Sequence, residues 1–353
     1  MSEPATTVSE PAPGIPNEAE ASDTSDPTVE LSMQGAINRA LGDALAADDR
    51  VLIFGEDVGV LGGVFRMTDG LQTRFGADRV FDTPLAEAGI IGLSVGLAMA
   101  GWRPVPEVQF DGFVFPGYDQ LVSQVARMRT RTRGAFPMPI TLRVPSFGGI
   151  RAPEMHGESL ETFFMHVPGL KVVSPATPHD AYHLLRQAIA SPDPVIFMEP
   201  KSRYWNRGPV DLADETPLTG ARITRPGKHA TLVCWGSMVH RCEQVAELAA
   251  EDGLELEVLD LRWLTPLDED AIAESVSRTG RAVIVHEAPL TGGPGAELAA
   301  LISSRCFGSL KAPVERVTGF DVPTPAGDLE DEFIPNVDRV LFGVQRALEY
   351  RRG

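Results

Sequence analysis

The chain has little cysteine. Its 353 residues hold three, Cys234, Cys242 and Cys306, at spacings that form neither a disulfide framework nor a zinc motif, which points to a reducing cytoplasm. Long hydrophobic runs are missing too. The longest uncharged stretch, Ala88 to Trp102, has 15 residues, whereas a membrane-spanning helix needs about 20. The opening MSEPATTVSE has no basic region followed by an apolar run, so a secretory signal is not expected. Positive charge is in deficit: 31 Lys and Arg stand against 49 Asp and Glu, a net charge of −18. A surface that acidic repels phosphate backbones and anionic lipids, so neither nucleic acid nor membrane is expected as a partner. Residues 1–28 contain six acids, five prolines and no Lys or Arg. They bury too little apolar surface to offset ordering entropy, and read as a disordered acidic tail. Subtracting those six charges from −18 leaves −12 on the rest.

Over the whole chain 43% of residues are hydrophobic, and its length exceeds one ordinary core, so two domains are expected. Met33, Ile37, Leu41 and Leu45 repeat every four residues, an amphipathic helix pattern. Short continuous apolar strands alternate with helices: Val51–Phe54, Pro104–Phe110, Pro139–Val144, Lys171–Val173 and Val195–Met198. Helices are predicted over Thr83–Ala100, with Pro84 at the first position, over Tyr118–Arg131, and over His179–Ala190. The alternation restarts at Ala230. This pattern predicts parallel sheets covered on both faces, in two doubly wound α/β domains. The first spans 29–205 and the second 229–353, with residues 206–228 read as a linker.

Open parallel sheets build sites at strand ends. Here those ends offer Gly55-Glu56-Asp57, then Glu87 after Asp82-Thr83-Pro84-Leu85-Ala86, then Glu107 to Phe113, and a loop histidine, His156. An acid in a first helical turn is commonly a dipole effect. Glu87, however, is flanked by Ala86, Ala88, Gly89 and Ile90, an apolar setting that favours proton exchange with a ligand nitrogen. Other motifs read as structural. Gly92-Leu93-Ser94-Val95-Gly96 matches a nucleophile elbow on paper but falls inside a predicted helix, where Gly89, Gly92, Gly96 and Ala100 make a small-residue packing stripe. Gly293-Pro294-Gly295 is half a dinucleotide fingerprint, with Leu298 in place of the third glycine. His286-Glu287 lacks a second histidine four residues on, so it is no zinc motif. Arg127, Arg129, Arg131 and Arg133 complement a helix C-terminus, and His179 and His183 read as ordinary helix residues.

Taken jointly, these segments resemble the beta subunit of the thiamine-diphosphate-dependent decarboxylating component of 2-oxoacid dehydrogenase complexes. The resembling residues are Gly55-Glu56-Asp57, Gly62-Gly63-Val64-Phe65, Asp82 to Leu85 with Glu87 and Gly89, and Glu107 to Gln120. His156, Phe163-Phe164, His166, Pro168-Gly169, Lys171 to Pro175 and Glu199-Pro200-Lys201 complete them. The resemblance implies a pyrimidine-binding domain followed by a transketolase C-terminal-like domain. It implies that Glu87 hydrogen-bonds the aminopyrimidine ring nitrogen and so favours the imino tautomer that takes the thiazolium proton. It places Glu56, Leu85 and Phe113 beside the cofactor, and makes His156 a loop histidine for acyl transfer to lipoamide. It further implies potassium on backbone carbonyls near Ile140, Thr141, Ala188, Ser191 and Asp193.

Two departures stand out. Many relatives carry Cys-Glu-Gln where this chain has Ala86-Glu87-Ala88, and Met155 and Gly157 replace the commoner aromatic and Ser around His156. The Gly-Asp-Gly segment and Asn pair that hold magnesium pyrophosphate in such enzymes do not occur here. The resemblance therefore implies half a site, with thiamine diphosphate shared with an alpha subunit that carries the Mg2+. An α2β2 assembly, a lipoyl acyltransferase core and a small 2-oxo acid follow from it, of branched-chain type by the Met155–Pro200 region, with pyruvate as the alternative. A reading of another class is a non-catalytic assembly subunit, which the intact Glu56, Glu87, Phe113 and His156 oppose. A self-sufficient transketolase-like enzyme is opposed by the missing pyrophosphate motif.

Overall fold

The computed structural model describes residues 27–351. The tail expected over 1–28 therefore lies outside the described residues, except that Thr28 already begins a strand. In chain order the strands are β1 (Thr28–Ser32), β2 (Val51–Gly55), β3 (Val80–Asp82), β4 (Arg103–Glu107), β5 (Thr141–Ser146), β6 (Lys171–Val173) and β7 (Val195–Pro200). They continue as β8 (Arg207–Asp211), β9 (Arg222–Arg225), β10 (Ala230–Cys234), β11 (Leu256–Asp260), β12 (Trp263–Thr265), β13 (Ala282–Pro289) and β14 (Glu315–Gly319). A seven-stranded sheet runs β12-β6-β7-β5-β4-β2-β3 and a five-stranded one β14-β13-β10-β11-β9. All neighbours are parallel except β12, antiparallel to β6, and β9, antiparallel to β11.

The segment read as a linker is structured at both ends. β8 pairs antiparallel with β1, and β9 joins the second sheet beside β11. β12 also crosses over, a three-residue strand from the second half completing the first sheet. The two halves share a core: one apolar cluster includes Leu142, Val144 and Met198 of the first sheet and Val233, Leu259 and Ile284 of the second.

Two helices cover the first sheet's other face. In Met33–Ala47 the four-residue repeat is buried at Met33, Ile37, Leu41 and Leu45, and the Ser32 side chain caps the start by accepting from Gly35 N. In Pro178–Ala190, Pro178 sits at the first turn and Thr177 accepts from Asp180 N at 3.1 Å. Two helix readings need correction. The helix expected over Thr83–Ala100 begins only at Glu87 and ends at Met99, capped at its start by Ala86 in a non-helical conformation. The helix expected over Tyr118–Arg131 breaks into Tyr118–Gln120, a wide turn at Leu121–Val125 in which Ala126 N bonds Leu121 O, and Met128–Arg131.

Candidate active site

Parallel strands leave all their carboxyl ends on one edge of a sheet, and that edge sets the site. In register, Gly55 at the end of β2 pairs with Asp82 of β3 and with Glu107 of β4. Glu107 in turn pairs with Arg143 of β5, and Ser146 at the end of β5 with Pro200 of β7. The chain leaves these ends as Glu56, the approach to Glu87, the segment Asp111–Gly117, the loop from Phe147, and Lys201. Residues scattered over 145 positions of sequence are thereby forced together.

Two acids lie close enough there for one to feel the other's charge. Glu87 is the first residue of its helix and 8% exposed. Among the described residues nothing hydrogen-bonds its carboxylate. Glu56 is buried, and its Oε1 has no partner either. Burial first, then the negative charges of Glu87, Asp57 and Glu107, hold the Glu56 carboxyl above its ordinary range. A buried carboxyl oxygen without a donor is costly, so Glu56 Oε1 is open to a donor that the chain does not itself provide.

The Asp111–Gly117 segment ties these acids to the histidine. A Cβ on Gly117 would lie 3.0 Å from the Glu87 carbonyl and 2.5 Å from Ile91 Cδ1, so the backbone rides directly on the helix start. At the other end, a Cβ on Gly112 would lie 2.3 Å from the Met155 carbonyl. Both close approaches need glycine. They seat His156 on two aromatic rings, 4.4 Å from Phe110 and 4.9 Å from Phe113 between centroids. His156 Nδ1 lies 2.9 Å from the Glu154 carbonyl and donates to it, which leaves Nε2 as the nitrogen able to take a proton.

Beneath this surface lie two buried ionic groups. Arg143 donates to Glu107 at 2.6 Å and to Glu199 at 2.7 and 3.1 Å, and Tyr204 also donates to Glu199. Asp111 pairs with Lys201 at 3.2 Å and accepts from the backbone of Gly112, Phe147 and Glu158. Burial pushes the Asp111 carboxyl up to about 7 against the pull of Lys201, and pushes the Lys201 ammonium down.

Residues 29–206 match the family model described as the transketolase pyrimidine binding domain, and 219–340 that of the transketolase C-terminal domain. The chain is 54% identical over 338 residues to the Mycobacterium tuberculosis 3-methyl-2-oxobutanoate dehydrogenase subunit beta, covering 95% of this chain and 97% of that one. The chain belongs to the 2-oxoacid dehydrogenase beta-subunit family. Within that family it is also 54% identical over 321 residues to a pyruvate dehydrogenase E1 component subunit beta of Leifsonia xyli, covering 91% of this chain and 95% of that one. A split-gene transketolase, solved as an inactive beta4 tetramer, shares the fold at a TM-score of 0.73 and 19% identity, covering 91% of this chain and 99% of that one.

The beta-subunit fold gathers Glu56, Glu87, Phe113 and His156 at one edge, as described above. Leu85 is 80% exposed on the approach to the helix, two residues before Glu87. Ile140, Thr141, Ala188, Ser191 and Asp193 meet at the opposite end of β5. Val195 N bonds the Ile140 carbonyl, Ser191 N the Ala188 carbonyl, and Ser191 Oγ the Asp193 carbonyl. Ser94 is buried mid-helix and donates to the Ile90 carbonyl at 3.0 Å, so the elbow-like motif is packing. The glycines of that helix lie on its open side: Gly89 and Gly96 are exposed, with Leu93 and Met99 beside them. A cavity of about 410 Å³ lies elsewhere, lined by Asp43, Arg103, His183 and Arg186 among others, and no residue of the acid pair lines it. Among the described residues no helix is long and apolar enough to cross a membrane. Phe110, Asp111 and the Lys201 pairing were not singled out from sequence, although all three fall inside resembling segments; only the fold shows that Phe110 packs closer to His156 than Phe113 does.

Proposed function

We propose that this chain is the beta subunit of a branched-chain 2-oxoacid dehydrogenase and supplies the pyrimidine half of a thiamine diphosphate site. The observation that carries the reading is the buried, unpartnered Glu56 Oε1 close to Glu87, whose carboxylate accepts no hydrogen bond among the described residues, at the carboxyl edge of the first sheet. The two carboxyls fit a heterocycle bearing ring nitrogens and an amino group, because such a group offers the donors that these oxygens lack. Glu87 would hold a proton at the ring nitrogen, Glu56 would share the same polar network, and Phe113 and Leu85 would flank the ring. When bound, thiamine diphosphate supplies the carbon nucleophile and the electron sink for loss of carbon dioxide from a 2-oxo acid. His156, with Nε2 free, would serve proton movement as the acyl group passes to a lipoyl group.

The pyrophosphate end, with Mg2+, would come from an alpha subunit in an α2β2 assembly docked on a lipoyl acyltransferase core. The exposed Gly89, Leu93, Gly96 and Met99 support a subunit contact beside the site. A potassium ion on the carbonyls of Ile140, Thr141, Ala188, Ser191 and Asp193 belongs to the same reading; those of Ile140, Ala188 and Asp193 each accept one hydrogen bond and keep a lone pair over. Three free, buried cysteines agree with a cytoplasmic setting. Pyruvate stands as the second substrate reading, since the pyruvate dehydrogenase relative is as similar as the branched-chain one.

Calorimetric titration of thiamine diphosphate with Mg2+ tests the half-site. Tight binding is expected only when this chain and its alpha partner are mixed, and tight binding to the isolated chain would refute it. Turnover over pyruvate and the branched 2-oxo acids then assigns the substrate.

A further inference from the structure

The loop Phe147–Glu158, which carries His156, makes little structure of its own. Its backbone is held by carboxylates from outside it, and most of them come from the second domain. Asp111 accepts from Phe147 N at 2.8 Å and from Glu158 N at 3.2 Å, at the two ends of the loop. Glu287, at the end of β13, accepts from Gly148 N at 2.8 Å and is fixed by the Ser237 hydroxyl. Glu330 accepts from Arg151 N at 2.6 Å, and its Oε1 lies against the backbone of both Gly148 and Gly157. The Arg151 side chain pairs with Asp328 at 3.0 Å and Asp331 at 2.6 Å, and Thr324 donates to the Glu158 carboxylate at 3.0 Å.

Such contacts are more than surface decoration. Glu287 and Glu330 are both buried, at 3% and 1% exposure, and their backbone donors are amides that would otherwise lack partners. Exposed ion pairs such as Arg151–Asp331 add little by themselves. The buried bonds fix the loop at Gly148 and Arg151, and Asp111 fixes it at Phe147 and Glu158, so the intervening turn has few ways to move.

We infer that Glu287 and Glu330 are positioning residues: the second domain clasps the loop from across the domain boundary and holds His156 against Phe110 and Phe113. The inference rests on the reading of His156 as the histidine that serves acyl transfer.

The test uses the assembled enzyme with three variants, Glu330→Ala, Glu330→Gln and His156→Ala. Deuterium uptake by the 147–158 amides reports the clasp directly. Acylation of a lipoyl domain and decarboxylation with an artificial electron acceptor report the two half-reactions. Glu330→Ala is expected to speed exchange across 147–158 and to lower kcat for lipoyl acylation roughly 10- to 100-fold, the scale of an ångström-sized misplacement. The KM for the lipoyl domain and the decarboxylation rate should change little. Glu330→Gln keeps an oxygen acceptor for Arg151 N and should restore most of the loss. Wild-type exchange and acylation in Glu330→Ala would overturn the inference, and so would an equal fall in both half-reactions, which would make Glu330 a general stability residue. If His156→Ala acylates the lipoyl domain normally, the reading of His156 fails, while the exchange data still judge the clasp.

Discussion

Replacing Gly112 with Ala should disturb catalysis without touching any reacting group. Gly112 does not have a positive φ, so alanine is barred there by space and not by backbone conformation. Its Cβ would lie 2.3 Å from the Met155 carbonyl oxygen, whereas carbon and oxygen settle no closer than about 3.3 Å, so one backbone must retreat by ~1 Å. The retreat falls between the segment that bears Phe113 and the loop that bears His156, because Met155 precedes His156 directly. Overpacking of this kind costs about 1–3 kcal/mol, and a displacement of this size at a reacting group lowers turnover by roughly 100-fold. Steady-state lipoyl acylation by the variant, reconstituted with its alpha partner, measures the second effect, and thermal denaturation the first. A variant with wild-type melting temperature and wild-type turnover would show that the close approach of Gly112 to Met155 does not set the position of His156.

Arg143→Met leaves Glu107 and Glu199 buried without their counter-ion, and should destabilise the chain by about 3–5 kcal/mol in chemical denaturation; a loss under 1 kcal/mol would contradict the buried network. Glu161 is fully buried, accepts from Trp235 Nε1 at 3.0 Å, and is pushed up to about 7 chiefly by burial. Its folded pKa exceeds its unfolded one, so it lowers stability as pH climbs from about 4.5 to about 7 and exerts no such penalty below that window. The melting temperature of Glu161→Gln relative to wild type should therefore rise between pH 4.5 and 7 and then level off; a flat difference across that range would count against the assignment. Ser94→Ala should keep full activity and cost no more than about 1 kcal/mol, the worth of one hydrogen bond; loss of turnover would revive a nucleophilic role.

Much of the fold was legible because buried parallel strands such as Val51–Gly55 and Val195–Pro200 read as continuous apolar runs. The start of the Glu87 helix was not, since Thr83-Pro84 is as suitable before a helix as inside its first turn. The break at Leu121–Val125 was hidden for a similar reason, because every residue there fits an unbroken helix. β12 could not be read at all: three residues show no periodicity, and its partner β6 lies far away in sequence. At the site, the residue types of Glu56, Glu87 and His156 were visible, but not their meeting, which depends on the register of β2, β3, β4 and β5. The second domain's hold on the His156 loop was equally hidden, because Glu287 and Glu330 look like ordinary acids until the two domains pack.

On the proposed function, Glu87 meets a group brought by another subunit and governs its protonation. The most direct measurement is the rate of 2-oxo acid decarboxylation by the assembled enzyme carrying Glu87→Gln, a variant that keeps the size of the side chain and removes its acidity. Decarboxylation is expected to fall roughly 100- to 10,000-fold, the range of a lost general acid–base group, with the assembly intact. Unchanged decarboxylation would contradict that role.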